Sequence, residues 1–291
     1  MKNEKSRVAL LSVFAAVFLT GFKLIVGIIT GSLGLLSEAL HSGLDLIAAI
    51  ITYFSVKISD NPADTEHNFG HGKVENFSAF METILLVITC AWIIYEAINR
   101  LITGNTHIEV SIWSYVVVII SIVVDISRSR ALYKVARKHN SQALEADALH
   151  FSTDIWSSAV VLLGLICAQF GFFFADSVAA LVVALIVLFV SYKLGRKAID
   201  VLLDRAPEAT ITKISDVLKQ TPEVICFHDL KVRISGADTF VNVTIHVDPE
   251  ISVWEAHEIS ELVENKISKD IPRCEIQVHY EPDDKKGYDL L

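Results

Sequence analysis

From Val8 to Tyr192 the apolar residues come in long blocks separated by short polar stretches. A helix needs roughly 20 apolar residues to cross the hydrocarbon core of a bilayer. Six blocks meet or approach that length: 8–29, 33–56, 77–101, 112–126, 143–170 and 177–192. The first two are joined only by TGSLG, which predicts a tight helical hairpin. Asp125 and Arg128 interrupt the fourth, which is expected to continue as helix beyond Ile126. After Arg205 the pattern changes. Residues 208–220 place Ile211, Ile214, Val217 and Leu218 on one helical face. Residues 224–234 and 239–247 are rich in β-formers, with SGAD between them as a hairpin turn. Ser252 and Glu255 have capping-box spacing for a helix through Ser268, and 274–279 alternates as a last strand. The expected fold is a membrane all-α six-helix bundle, residues 1–204. A cytoplasmic α+β domain follows at 205–291, ordered αββαβ with helices on one side of a sheet, ferredoxin-like or metallochaperone-like.

Composition supports the membrane half. Hydrophobic residues make up 52% of the chain and the mean hydropathy is +0.48, above the roughly 45–50% apolar content of soluble domains. The basic residues fix an orientation. Lys2, Lys5 and Arg7 precede the first block, and Lys57 and Lys73 lie between the second and third. Arg128, Arg130, Lys134, Arg137 and Lys138 separate the fourth from the fifth, and Lys193, Arg196 and Lys197 follow the sixth. The opposite loops offer only Arg100, so both termini are expected in the cytoplasm. The basic N-terminus resembles a signal peptide, but the apolar run continues past Leu24 without a small-residue cleavage site and reads as a retained span.

Net charge is −9, and residues 205–291 hold 17 Asp/Glu against 10 Lys/Arg. No basic patch with interleaved aromatics appears, which excludes a nucleic-acid partner. An acidic, histidine-bearing tail suits cations, although a solvated surface is the commoner meaning of acidity alone. Four cysteines without CxxC spacing make a disulfide framework improbable and fit a tail in a reducing compartment.

The candidate chemistry is metal binding. His41 and Asp45 are one helical turn apart in the second block, and His150 and Asp154 repeat that spacing in the fifth. One such pair reads as a helix-packing hydrogen bond. Two with the same spacing on separate spans favour ligands, because carboxylates in lipid need compensation and one shared cation serves both. Two imidazoles and two carboxylates suit tetrahedral Zn2+; the lack of thiolate argues against Cu(I), and imidazole argues against Mg2+ or Ca2+. Asp64, His67 and His71 in NPADTEHNFGHGK form a second candidate set, with a plain solvated loop as the alternative. The tail histidines, His228, His246, His257 and His279, lie on different elements, and spacing does not assemble them. Glu82 and Asp125 are acidic residues in apolar blocks with no assigned role. A membrane metalloprotease would need HExxH, and HEISE from His257 lacks the second histidine, so no enzyme is expected.

Taken together, SEALHSGLD, PADTEHNFGHGK, HFSTD and LLDR ahead of an α/β tail resemble the cation diffusion facilitator family, of the bacterial zinc-transporting type, from the first span to about Pro282. The resemblance implies a homodimeric, six-span exporter in the cell's inner (plasma) membrane, exchanging cytoplasmic Zn2+ for protons, with Zn2+ also a regulatory ligand and no organic cofactor. It implies that His41, Asp45, His150 and Asp154 form the transport site and Asp64, His67 and His71 a loop site. It also implies that His228, His246, His257, His279 and Glu281 form a binuclear tail site with the carboxylate as bridge. Lys73 and Asp204 match a salt bridge that holds the dimer at the junction of membrane domain and tail. His41 resembles the zinc-selective members. Relatives can carry Asp where this chain has Glu281 and an amide where it has Tyr280. Export of Fe2+, Co2+, Ni2+ or Mn2+ by the same fold, or a non-transporting membrane metal sensor, are the alternatives.

Overall fold

The structure, a computed structural model, describes residues 2–31, 33–103, 112–169 and 174–283. Six long helices come first: α1 (Lys2–Thr30), α2 (Leu33–Ser59), α3 (Lys73–Thr103), α4 (Ile112–His139), α5 (Gln142–Gln169) and α6 (Phe174–Leu202). Each apolar block forms the middle of one helix, and every helix runs past its block. At about 1.5 Å per residue, 27 residues or more give a rod longer than the hydrocarbon core is thick. The stretches Glu4–Thr30, Glu38–Ser59 and Lys73–Thr103 are apolar enough to cross a membrane by length and composition. The connections after α3 and α5 lie largely in residues 104–111 and 170–173, outside the described residues.

The helices pack chiefly as α1 on α2, α3 on α6 and α4 on α5, and α5 also meets α2, α3 and α6. Their polarity is inverted relative to a soluble bundle. Phe14, Ile29, Leu40, Phe54, Trp92, Ile102 and Phe189 point outward, while Asp45, Glu82, Asp125, Arg128, Asp147 and His150 are buried. Lipid favours that distribution, since an ionisable group is tolerated only against a partner inside the bundle. Asp125 and Arg128 show how α4 continues through its apparent interruption: they pair at 3.3 Å, and the guanidinium sits 3.4 Å over the Phe151 ring. At the start of α1, Lys5 Nζ lies 2.6 Å from Asp60 and 2.8 Å from Glu75. Glu75 also accepts hydrogen bonds from Ser59 and Ser141, so one buried carboxylate ties α1, α2, α3 and the start of α5.

The tail continues as α7 (Glu208–Lys219), β1 (Cys226–Ser235), β2 (Asp238–Val247), α8 (Val253–Asp270) and β3 (Cys274–Pro282). The sheet order is β1-β2-β3, with β1 antiparallel and β3 parallel to β2. Ser235 pairs with Asp238 across a two-residue turn whose first position, Gly236, has φ +61°, the left-handed geometry such hairpins need. Val241, Val243, Ile245 and Val247 pack with Ile214, Leu218, Val263 and Ile267, so the helices cover one face of the sheet. Ser252 and Glu255 form the expected capping box at the start of α8. The strands run a little beyond their predicted ends because the ladder continues to Pro282 against Val247.

The tail docks through its hairpin. Gly236 N–H donates to Asn76 Oδ1 at 3.2 Å, and Phe69 stacks edge-on against Phe240 at 5.2 Å with Arg233 over its ring.

Candidate metal centre

Helical spacing sets His41 and Asp45 on one face of α2, and His150 and Asp154 on one face of α5. Contact between the two helices turns those faces toward each other. His150 Nε2 lies 3.0 Å from Asp45 Oδ1 and 3.6 Å from Asp154 Oδ2. His41 Nε2 stands at 3.9 Å from Asp154 Oδ1 and 4.0 Å from Asp45 Oδ1. Asp45, His150 and Asp154 offer three ligand atoms within 4.8 Å of one another, and His41 completes the set from a more open position, its side chain 35% exposed.

His41, Asp45 and Asp154 edge a small cavity, about 40 Å³, whose wall also includes Lys23, Glu38, Ser42, Asp125 and Arg128. Lys23 Nζ is 3.1 Å from Glu38 and 2.8 Å from Ser42 Oγ. Lys23 is thus paired with Glu38, and Arg128 with Asp125. With the four carboxylates, Lys23 and Arg128 ionised and His41 neutral, the two unmatched charges are Asp45 and Asp154, which one divalent cation would balance.

The polar stripe continues beyond the four candidate ligands. Asp147, one turn before His150 on α5, is fully buried and accepts a hydrogen bond from Ser12 at 3.2 Å. Glu82 on α3 is fully buried, accepts from Thr52, and has Asp147 and His150 as titratable neighbours. Asp147 escaped the sequence reading, although its place three residues before His150 and seven before Asp154 puts it on the same face. Lys23 and Glu38 were also missed. Their only sequence signal is charge inside an apolar block.

The loop set comes together as well. His67 Nδ1 is 3.3 Å and His71 Nε2 3.4 Å from the two oxygens of Asp64, with the imidazoles 4.4 Å apart. The segment is not helical, and Gly70 adopts φ +71°. Backbone N–H groups of His67 and Glu66 donate to Asp64 Oδ1, and the first of these contributes most to holding the carboxyl below its usual range. It is thus held as an anion facing two imidazoles.

In the tail, strand register does the assembly. Cα pairing sets Cys226 beside His246 and His246 beside Glu281 on the sheet face away from the helices. His228 Nε2 is 3.1 Å from His246 Nε2, and Glu281 lies 3.9 and 3.8 Å from the two rings. His279 Nε2 reaches the other Glu281 oxygen at 3.3 Å. His257 does not join them: it lies on α8, 3.4 Å from Glu261, and belongs to no converging ligand group among the described residues. Alternation cannot bring a helix-layer side chain to the opposite face of the sheet. Lys73 and Asp204 form an ion pair of 2.8 Å within the single chain.

Known proteins resemble both halves. The family description "Cation efflux transmembrane domain" matches residues 9–203, and "Cation efflux protein, cytoplasmic domain" matches 206–283. The cation-efflux pump FieF of Citrobacter koseri is 31% identical, over 95% of this chain and 92% of its own length. An uncharacterised transporter of Methanocaldococcus jannaschii is 34% identical, over 91% of this chain and 94% of its own. The magnetosome protein MamB of a Magnetospira species is 30% identical, over 87% and 86% respectively. Among solved structures, a MamM CTD variant in a nickel form aligns at 34% identity, covering 27% of this chain and all of that one, with a TM-score of 0.26. With both family matches and relatives of nearly full length, the chain belongs to the cation efflux family, the cation diffusion facilitators, and is an integral membrane transporter of divalent metal cations rather than an enzyme.

Proposed function

We propose that this protein exports Zn2+ from the cytoplasm in exchange for protons, through His41, Asp45, His150 and Asp154. The observation that carries the reading is the buried 3.0 Å contact between His150 Nε2 and Asp45 Oδ1. Both atoms are acceptors unless a proton lies between them, and both are the lone pairs a metal would need. Proton and cation therefore compete for the same atoms, and a site that alternates between the two sides of the membrane exchanges one for the other. The N2O2 donor set, with two imidazoles, favours Zn2+ over harder cations. Residues 1–204 supply six spans, and residues 205–291 a cytoplasmic tail, with both termini on the cytoplasmic side as the basic loops require.

The other sets take supporting roles. Asp64, His67 and His71 hold a cation beside the hairpin of the tail. His228, His246, His279 and Glu281 bind cytoplasmic Zn2+ and adjust the geometry of a homodimer, whose junction the Lys73–Asp204 pair braces.

Flux into proteoliposomes under an imposed pH gradient tests the central reading, with Zn2+, Fe2+, Co2+, Ni2+ and Mn2+ compared. Zn2+ uptake with proton counterflow is expected, and its loss in Asp45→Ala and His150→Ala. Undiminished flux in both variants would sink the site assignment, and binding without movement would mark a sensor.

A further inference from the structure

The sheet face that carries His228, His246 and Glu281 also carries a second donor set of different chemistry. Cys226 pairs with His246 across β1 and β2, and Asp283 follows Glu281 by two residues, so both point to the same side as His246. His246 is 1% exposed and uses its two nitrogens in two directions. Its Nε2 faces His228 and Glu281, while its Nδ1 lies 4.0 Å from Asp283 Oδ1. Ligand atoms of Cys226, His246 and Asp283 all fall within 4.8 Å of one another. The geometry points to a thiolate-bearing metal site made of Cys226, His246 and Asp283, distinct in donors from its neighbour and sharing one imidazole with it.

Bond lengths of about 2.3 Å to sulfur and 2.0–2.2 Å to nitrogen and oxygen place tetrahedral ligand atoms about 3.6 Å apart or less. The contraction needed is at most about 1.2 Å, from separations within 4.8 Å, and lies within reach of side-chain rotation. A thiolate selects borderline and soft cations, the Zn2+, Co2+ and Cd2+ class, and excludes Mg2+ and Ca2+. Loading transfers the Cys226 thiol proton to solvent as the metal–sulfur bond forms. Three protein ligands leave a fourth position to water, so the site exchanges its ion readily. The shared imidazole links the two sets: a cation on Nδ1 leaves the proton on Nε2, which then donates toward His228 or Glu281, so the neutral ring serves one set at a time.

The test is titration of the full-length protein in detergent micelles with Co2+ alone, read by the near-ultraviolet thiolate-to-cobalt charge-transfer band. Wild type is expected to show the band and Cys226→Ser to lose it. Cys274→Ser, at the opposite end of the sheet, and His228→Ala are expected to keep it. Asp283→Asn, at a half-buried position, should weaken the titration of the band by at least about tenfold. No band in wild type, a band that survives Cys226→Ser, or an unchanged midpoint in Asp283→Asn would each overturn the proposal. The band reports a thiolate and is independent of flux, so failure of the transport reading leaves this result interpretable.

Discussion

His150 and His41 occupy unequal places in the same four-residue set. His150 is 4% exposed and contacts both carboxylates at 3.0 and 3.6 Å, whereas His41 stands at the cavity mouth with both of its contacts near 4 Å. Removing His150 breaks the three-atom group; removing His41 leaves it whole. His41→Ala should therefore weaken Zn2+ binding at the intramembrane site by roughly 10–100-fold, as for residues at the margin of a metal site, while His150→Ala abolishes binding there. Isothermal titration of the purified protein measures both, and equal losses would contradict this ranking. Spacing made the pairs legible, because i and i+4 share a face in any helix. It did not show which nitrogen meets which oxygen. The same limit hid Asp283 and Cys226, which are far apart in sequence and meet only through strand register.

At the level of elements, two junctions deserve energetic predictions. Glu75 is 1% exposed and holds Lys5, Ser59 and Ser141 at the meeting of four helices. Glu75→Ala leaves buried Lys5 with Asp60 alone and takes away the acceptor that Ser59 and Ser141 share, so it should destabilise the bundle by about 3 kcal/mol, read as a lower unfolding midpoint in detergent. In the tail, Ser252 accepts from the Glu255 backbone N–H, and Glu255 accepts from the Ser252 backbone N–H and hydroxyl. Ser252→Ala should cost about 1 kcal/mol. Those donors, the Ser252 backbone N–H foremost, hold the Glu255 carboxyl below its ordinary value of 4.5. Its contribution is thus fully present above that value and is lost as pH falls through the lower folded-state value. Hydrogen exchange in the first turn of α8 should show the wild-type advantage over Ser252→Ala shrinking only below about pH 4.5.

For the molecule as a whole, the decisive contact is the one between membrane domain and tail. A Cβ at Gly72 would lie 2.3 Å from the Ser235 carbonyl oxygen, and one at Gly236 would lie 2.8 Å from the Gly72 carbonyl oxygen. Backbone approaches backbone here, so neither side can yield by rotating a side chain. Gly72→Ala should lift the hairpin from its seat on Asn76 and Phe69, giving faster hydrogen exchange and proteolysis around the Gly236 turn with the helices intact. Unchanged protection there would show that the docking tolerates a methyl group. The same seat lies beside the Asp64–His67–His71 loop, which places a candidate cation site next to the surface where the tail rests.

The chain's sequence determined a great deal alone. Apolar blocks named six helices, alternation and a capping box named the αββαβ tail, and repeated His–Asp spacing named the candidate intramembrane ligands, because all of these are local regularities. Tertiary structure decided the rest. Only packing of α2 against α5 shows that the two pairs converge, and only burial shows that Glu82 and Asp147 extend the polar stripe. Only strand pairing separates His246, shared by two donor sets, from His257 in the helix layer. The physical reason is the same in each case: periodicity fixes which residues share a face, but not which faces meet.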